Sequence, residues 1–148
     1  MKISKKAQYG LRAMVYLAKH SSKEKVCPLK EISEKEDIPF DFLEKILSKL
    51  EKANLIRAKK GVQGGYFLVR KPKNIKLGEI IKVLEGEVAL VRCIAKKEKH
   101  ICPREKKCLT KNFWKKIQDS LISTLNSLTL ADLINPEGKP SASYGARK

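Results

Sequence analysis

Long apolar runs are missing from this chain. None approaches the roughly 18 uninterrupted apolar residues that a membrane-spanning helix needs, so no membrane partner is expected. The N-terminus, MKISKKAQYG, lacks the apolar core of an export signal, which points to a cytoplasmic protein with reduced thiols. Also absent are a C-x-x-C pair, a paired acid and base, and a Gly-rich cofactor-binding loop of the strand-to-helix type. These absences argue against a redox enzyme, and no catalytic residue is expected. Acidic residues are scarce, 16 against 33 Lys and Arg, leaving a net charge of +17. Such an excess calls for a polyanionic partner. The 148 residues are 42% hydrophobic, enough for one domain with a core, or a small domain plus an appendage.

Residues 1–86 read as a helical unit with one hairpin. Ser4 is an N-cap for a first helix, in which Ala7, Leu11, Met14 and Ala18 recur at helical spacing and Val15 and Leu17 widen the stripe. A second helix, Leu29 to Lys35, is anchored by Leu29 and Ile32. Pro39 restricts Ile38 and makes Glu36 to Pro39 a turn. A third helix follows with Leu43, Ile46, Leu47 and Leu50 on one face. Leu55–Ala58 and Tyr66–Val69 read as strands joined by KKGVQGG. From Arg57 to Lys76 there are seven basic residues and no acidic one. A helix-turn-helix followed by a basic, glycine-tipped hairpin predicts a winged helix: mainly α with a small β wing. Its third helix can enter a major groove, and its wing can reach phosphates or a minor groove. A fourth helix spans Ile75 to Leu84, with Ile80, Ile81 and Leu84 inward and Gly86 at its end.

Residues 87–108 hold three cysteines, Cys93, Cys102 and Cys108, among mostly polar and charged neighbours. Such a loop cannot order itself by burying apolar surface, but thiolate–metal bonds could order it. An iron–sulfur centre, a zinc site and redox thiols are all readings of three clustered cysteines. Structural zinc usually brings cysteine pairs with two to four intervening residues, and no such pair occurs here. Cys27, in a loop of the first unit, is expected to be a partly buried free thiol. Residues 109–134 begin with a long helix from about Leu109 to Leu125, on which Phe113, Ile117, Leu121 and Leu125 recur every four residues, joined by Trp114 and Ile122. A stripe this long must be buried, and a symmetric homodimer would bury it while pairing two wings on a palindrome. A last short helix starts near Thr129, and residues 135–148 read as a tail.

Read together and in order, MKISKKAQYGLRAMVYLA, IPFDFLEKILSKLEKANLI, KKGVQGGYFLVR, the three-cysteine loop and KCLTKNFW…LNSLTLADLI resemble the Rrf-two family of bacterial winged-helix transcription regulators. The resemblance covers residues 1 to about 134. It implies a homodimer that binds double-stranded DNA at a palindromic operator, with affinity set by a 2Fe–2S or 4Fe–4S cluster. The cluster would report cluster status, redox state or nitric oxide, and the regulator would act as a repressor. Carried over by position, the cluster and metal ligands are Cys93, Cys102 and Cys108. The family's usual loop has equal gaps, whereas here eight residues separate the first two cysteines and five the last two.

The fourth ligand departs from the pattern. Lys111 stands where some members carry a histidine, and Gln8 where others carry an acid supplied by the partner's first helix. His100, Glu105, Asn112 and Gln8 remain candidates. On the DNA side the resemblance implies Asp41, Glu44, Lys45 and Ser48 at the groove, and Arg57, Lys59, Lys60, Gln63, Gly64, Gly65, Tyr66 and Lys71 from the wing. Lys60 replaces the usual arginine, exchanging a planar fork for a point charge. Two other classes stay open: a zinc-stabilised nucleic-acid-binding module and a thiol-based redox protein.

Overall fold

Ser4 caps the first helix, its hydroxyl accepting the Ala7 N–H at 3.1 Å. In the computed structural model, which describes residues 1–97 and 102–135, this helix, α1, spans Lys5–His20. Its buried face is Ala7, Gly10, Ala13, Met14, Tyr16 and Leu17, while Leu11 and Ala18 are only half-buried. The face is broader than the sequence stripe because α1 is central, packing against α2 (Leu29–Glu36), α3 (Phe40–Lys52), α4 (Leu77–Glu85) and α6 (Leu130–Ile134). Small residues let these helices approach: a Cβ on Gly10 would lie 2.2 Å from Leu84 Cδ1.

The turn between α2 and α3 is as predicted, and its lock is visible. Asp37 ends α2 in the left-handed region at φ 51°, and Ser33 Oγ donates to the Ile38 carbonyl at 2.6 Å. Arg12 reaches across from α1 to the Glu36 carbonyl and carboxylate. Leu43, Ile46, Leu47 and Leu50 of α3 are all buried, as their spacing requires.

The wing strands are β1 (Ile56–Lys59) and β2 (Gly65–Leu68), antiparallel, with Arg57 opposite Phe67 and Lys59 opposite Gly65. Both lie within a residue of their predicted bounds. A one-residue bridge onto the wing had no counterpart in the sequence pattern. Cys27 pairs with Tyr66 through two backbone hydrogen bonds of 2.9 and 2.8 Å, so the segment before α2 extends the wing sheet. Cys27 is therefore fully buried, at 1% exposure, rather than partly so.

Helix α4 begins at Leu77, later than Ile75, because Ile75 is already committed to the core in extended backbone and Lys76 is the cap, its N–H donating to Glu79 at 3.0 Å. Helix α5 spans Lys111–Ser127. Just beyond it the chain returns to the first unit: Leu77 N–H donates to Leu128 O, and Leu130 N–H to Ile75 O, both at 2.9 Å. Leu130 is fully buried, so the last short helix sits in the core of the first unit rather than beside the long helix alone. Thr129 and Asp132 form its capping box. Among the described residues no helix is long and apolar enough to cross a membrane. His100 and residues 136–148, the rest of the expected tail, lie outside the described residues.

Candidate nucleic-acid interface and cysteine site

The residues expected at DNA fall into two groups. On α3, Asp41, Glu44 and Lys45 are exposed, and Ser48 is half-exposed one turn further on. Phe40, which the sequence reading passed over, opens the helix and is 49% exposed. Helical spacing gave no signal for it, since Phe40 lies three residues before Leu43 and seven before Leu47, in line with the core stripe. On the wing, Arg57, Lys59, Lys60, Gln63 and Lys71 are all exposed. The tip turns on Gly61 at φ 117°, a conformation that suits glycine, and closes through Gly64 N–H to Gly61 O at 3.0 Å.

Gly65 and Tyr66 serve the base of the wing. Gly65 is buried, and a Cβ there would lie 2.5 Å from the Cys27 carbonyl. Tyr66 is half-buried on the same seam. Its phenol is pushed above its ordinary pKa first by burial and then by Glu51 and Glu44, so the ring stands near the third helix. Strand β1 packs on α3, so the wing and the third helix adjoin. Arg70, at the far end of the wing, is braced by Glu79 at 2.9 Å and by the Asn74 carbonyl at 3.0 Å.

The three loop cysteines are all free and half-buried. Cys93 lies in a short 3₁₀ turn, Arg92–Ile94, that packs on α5. Cys108 precedes α5, with Sγ 3.3 Å from Thr110 Oγ1. The Thr110 hydroxyl, the Thr110 and Lys111 backbone N–H groups and the Arg104 charge hold this thiol below its ordinary pKa. The start of α5 adds the positive end of its helix dipole. Lys111 points into the same region: its amine pairs with Glu105 and lies within electrostatic range of Cys93 and Cys108. The hydrogen bond to Glu105 raises the Lys111 pKa most, so the amine stays charged and cannot act as a ligand.

Of the fourth-ligand candidates, Glu105 is engaged by Lys111, and Asn112 is exposed on the first turn of α5. Gln8 is exposed on α1, its amide donating to the Ile3 carbonyl at 2.9 Å. Among the described residues no three His, Cys, Asp or Glu side chains are gathered into a ready metal cage.

The apolar stripe of α5 divides in two. Gln118, Ile122 and Leu125 border a cleft of about 390 Å³ against Gly78, Glu79 and Lys82 of α4. Gln118, buried, accepts the Leu90 N–H at 3.0 Å and so fastens the loop to the helix. Phe113, Ile117 and Leu121 line an open groove on another face, where Phe113 is 55% and Leu121 37% exposed.

Comparison with known proteins agrees with this geometry. The Rrf2 family model, described as an iron-dependent transcriptional regulator, matches residues 3–136. The protein rrf2 of Nitratidesulfovibrio vulgaris is 35% identical over 90% of this chain and 87% of its own. CymR, the global cysteine regulator of B. subtilis, superposes with a TM-score of 0.73 at 35% identity, covering 92% of this chain and 98% of its own. IscR of T. potens superposes at 0.72 with 33% identity, covering 98% and 94%.

Proposed function

The chain belongs to the Rrf2 family of transcription regulators, not enzymes, and from that premise we propose that it is a cytoplasmic homodimer whose operator affinity is set by an iron–sulfur cluster at Cys93, Cys102 and Cys108. DNA binding itself follows from the family and from the exposed α3 and wing. The observation that carries the rest is the placement of the thiols. Cys108 lies just before α5 and Cys93 in the turn that packs on it, while the C-terminal end of α5 is fixed to the DNA-binding unit by the Leu77–Leu128 and Ile75–Leu130 backbone bonds.

The donor set fits the group. Three free thiols are the donors such a cluster takes, and the Thr110 hydroxyl and nearby backbone N–H groups hold Cys108 toward thiolate. When bound, such a cluster would supply iron chemistry sensitive to redox state and nitric oxide. The chain's own residues do the rest. Lys111 and Glu105 neutralise one another next to the thiols. Gln118 ties residues 87–91 to α5, so ordering the loop and positioning the helix are one event. Helix α5 then carries a change at its start to the joint at its end. The groove of Phe113, Ile117 and Leu121 is the dimer face, and two subunits paired there would present two wings to a palindrome.

A second reading, a cluster-free thiol sensor, draws on the likeness to CymR, a cysteine regulator, and on the ungathered ligands. Protein purified without oxygen separates the two. A cluster predicts visible absorption with bound iron and sulfide, lost in Cys93→Ala, Cys102→Ala and Cys108→Ala and kept in Cys27→Ala. Colourless wild-type protein that takes up no iron and sulfide on reconstitution would leave the thiol sensor.

A further inference from the structure

Helix α3 opens with an aromatic ring that the fold does not use. Phe40 is the first residue of the helix and half exposed, while its four core residues are buried. The aromatic contact between α1 and α3 is made by Phe42, packed edge-to-face on Tyr9 with ring centroids 5.6 Å apart. Phe40 stands one turn before Glu44 and two before Ser48, in a row that runs along the flank of the exposed face. Its place at the leading end of the helix that faces the groove puts an apolar surface within reach of the base edges.

The major groove offers one apolar feature, the C5 methyl of thymine, which side chains read by contact rather than by hydrogen bonds. Asp41 and Glu44 are acceptors suited to the cytosine amino group, and Lys45 is suited to guanine or phosphate. None of them can recognise a methyl group. We propose that Phe40 is a specificity-determining residue that packs on a thymine methyl beside the base pair faced by Glu44, once in each half-site. The proposal rests on α3 being the groove-reading helix.

The test first selects a preferred duplex from a random pool with the full-length protein. Each thymine is then replaced in turn by deoxyuridine, which removes the methyl and keeps the pairing. One position per half-site should weaken wild-type binding by about fourfold, the factor for one buried methyl group. Phe40→Ala should bind the thymine duplex more weakly and be indifferent to that same replacement, while Phe40→Leu should keep part of the sensitivity. Wild-type binding unchanged by every replacement would overturn the proposal while leaving DNA recognition by α3 intact. So would a Phe40→Ala variant as sensitive as wild type. A Phe40→Ala variant that instead loses self-association in sedimentation would assign the ring to a protein contact and overturn it as well. Failure to select any sequence would remove both the proposal and the DNA-binding reading beneath it.

Discussion

Four cysteines in one chain have two different fates, and the difference is set by their neighbours. Cys27 is enclosed between α1, α2 and the wing, with Tyr16 and Glu31 close by. Burial, then the Glu31 carboxylate, pushes its thiol from 9.0 up to about 11. It is protonated at neutral pH and unreactive. A pKa raised on folding stabilises the fold fully below the unfolded value and loses that contribution as pH rises through the folded value. The stability tied to Cys27 should therefore fade between about pH 9 and 11. Iodoacetamide followed by mass spectrometry should label Cys93, Cys102 and Cys108 of the metal-free native protein at neutral pH and spare Cys27 until the protein unfolds. Rapid native labelling of Cys27 would contradict its enclosure. Little in the residue pattern marks this site, because a single bridging residue has no periodicity. Phe40 was hidden for the opposite reason: patterning counts a phenylalanine as core by default, and only the packing by Phe42 reveals that it is spare.

Elements with long, regular patterns were the legible ones. The core face of α3 was read residue for residue, and the glycines and basic residues of the wing located the hairpin to within a residue. Helix α5 was legible as a helix but not as two faces, since a repeat of four residues does not say which side the rest of the fold will take. Gln118, polar yet buried, marks the inner side. The outer side, Phe113, Ile117 and Leu121, is where the dimer is proposed. Ile117→Glu and Leu121→Glu would each bring an unpaired carboxylate into that interface, at a cost of several kcal/mol or a shifted pKa. Because both positions face away from α4, melting of the monomer unit should change little. Sedimentation should show monomers, with DNA binding reduced by at least tenfold. Unchanged dimers for both variants would move the interface elsewhere.

For the molecule as a whole, charge and connectivity carry the account. The net charge of +17 comes mainly from the wing, where DNA is expected, from the first twenty residues and from the cysteine loop. The return of the chain from α5 into the core at Leu130 makes the cysteine loop and the winged unit parts of one body, a linkage that sequence patterning did not show because it lives in two backbone hydrogen bonds. Through that connection the state of the cysteine site is proposed to control DNA affinity. The most direct measurement is a titration of one selected operator duplex, without oxygen and at fixed salt, by wild-type protein with its cluster reconstituted and by the same protein after chelation of its iron. Operator affinities should differ by about tenfold or more, on the scale of 1–3 kcal/mol of coupling, and the difference should vanish in Cys108→Ala. Equal affinities for the two wild-type forms would contradict it.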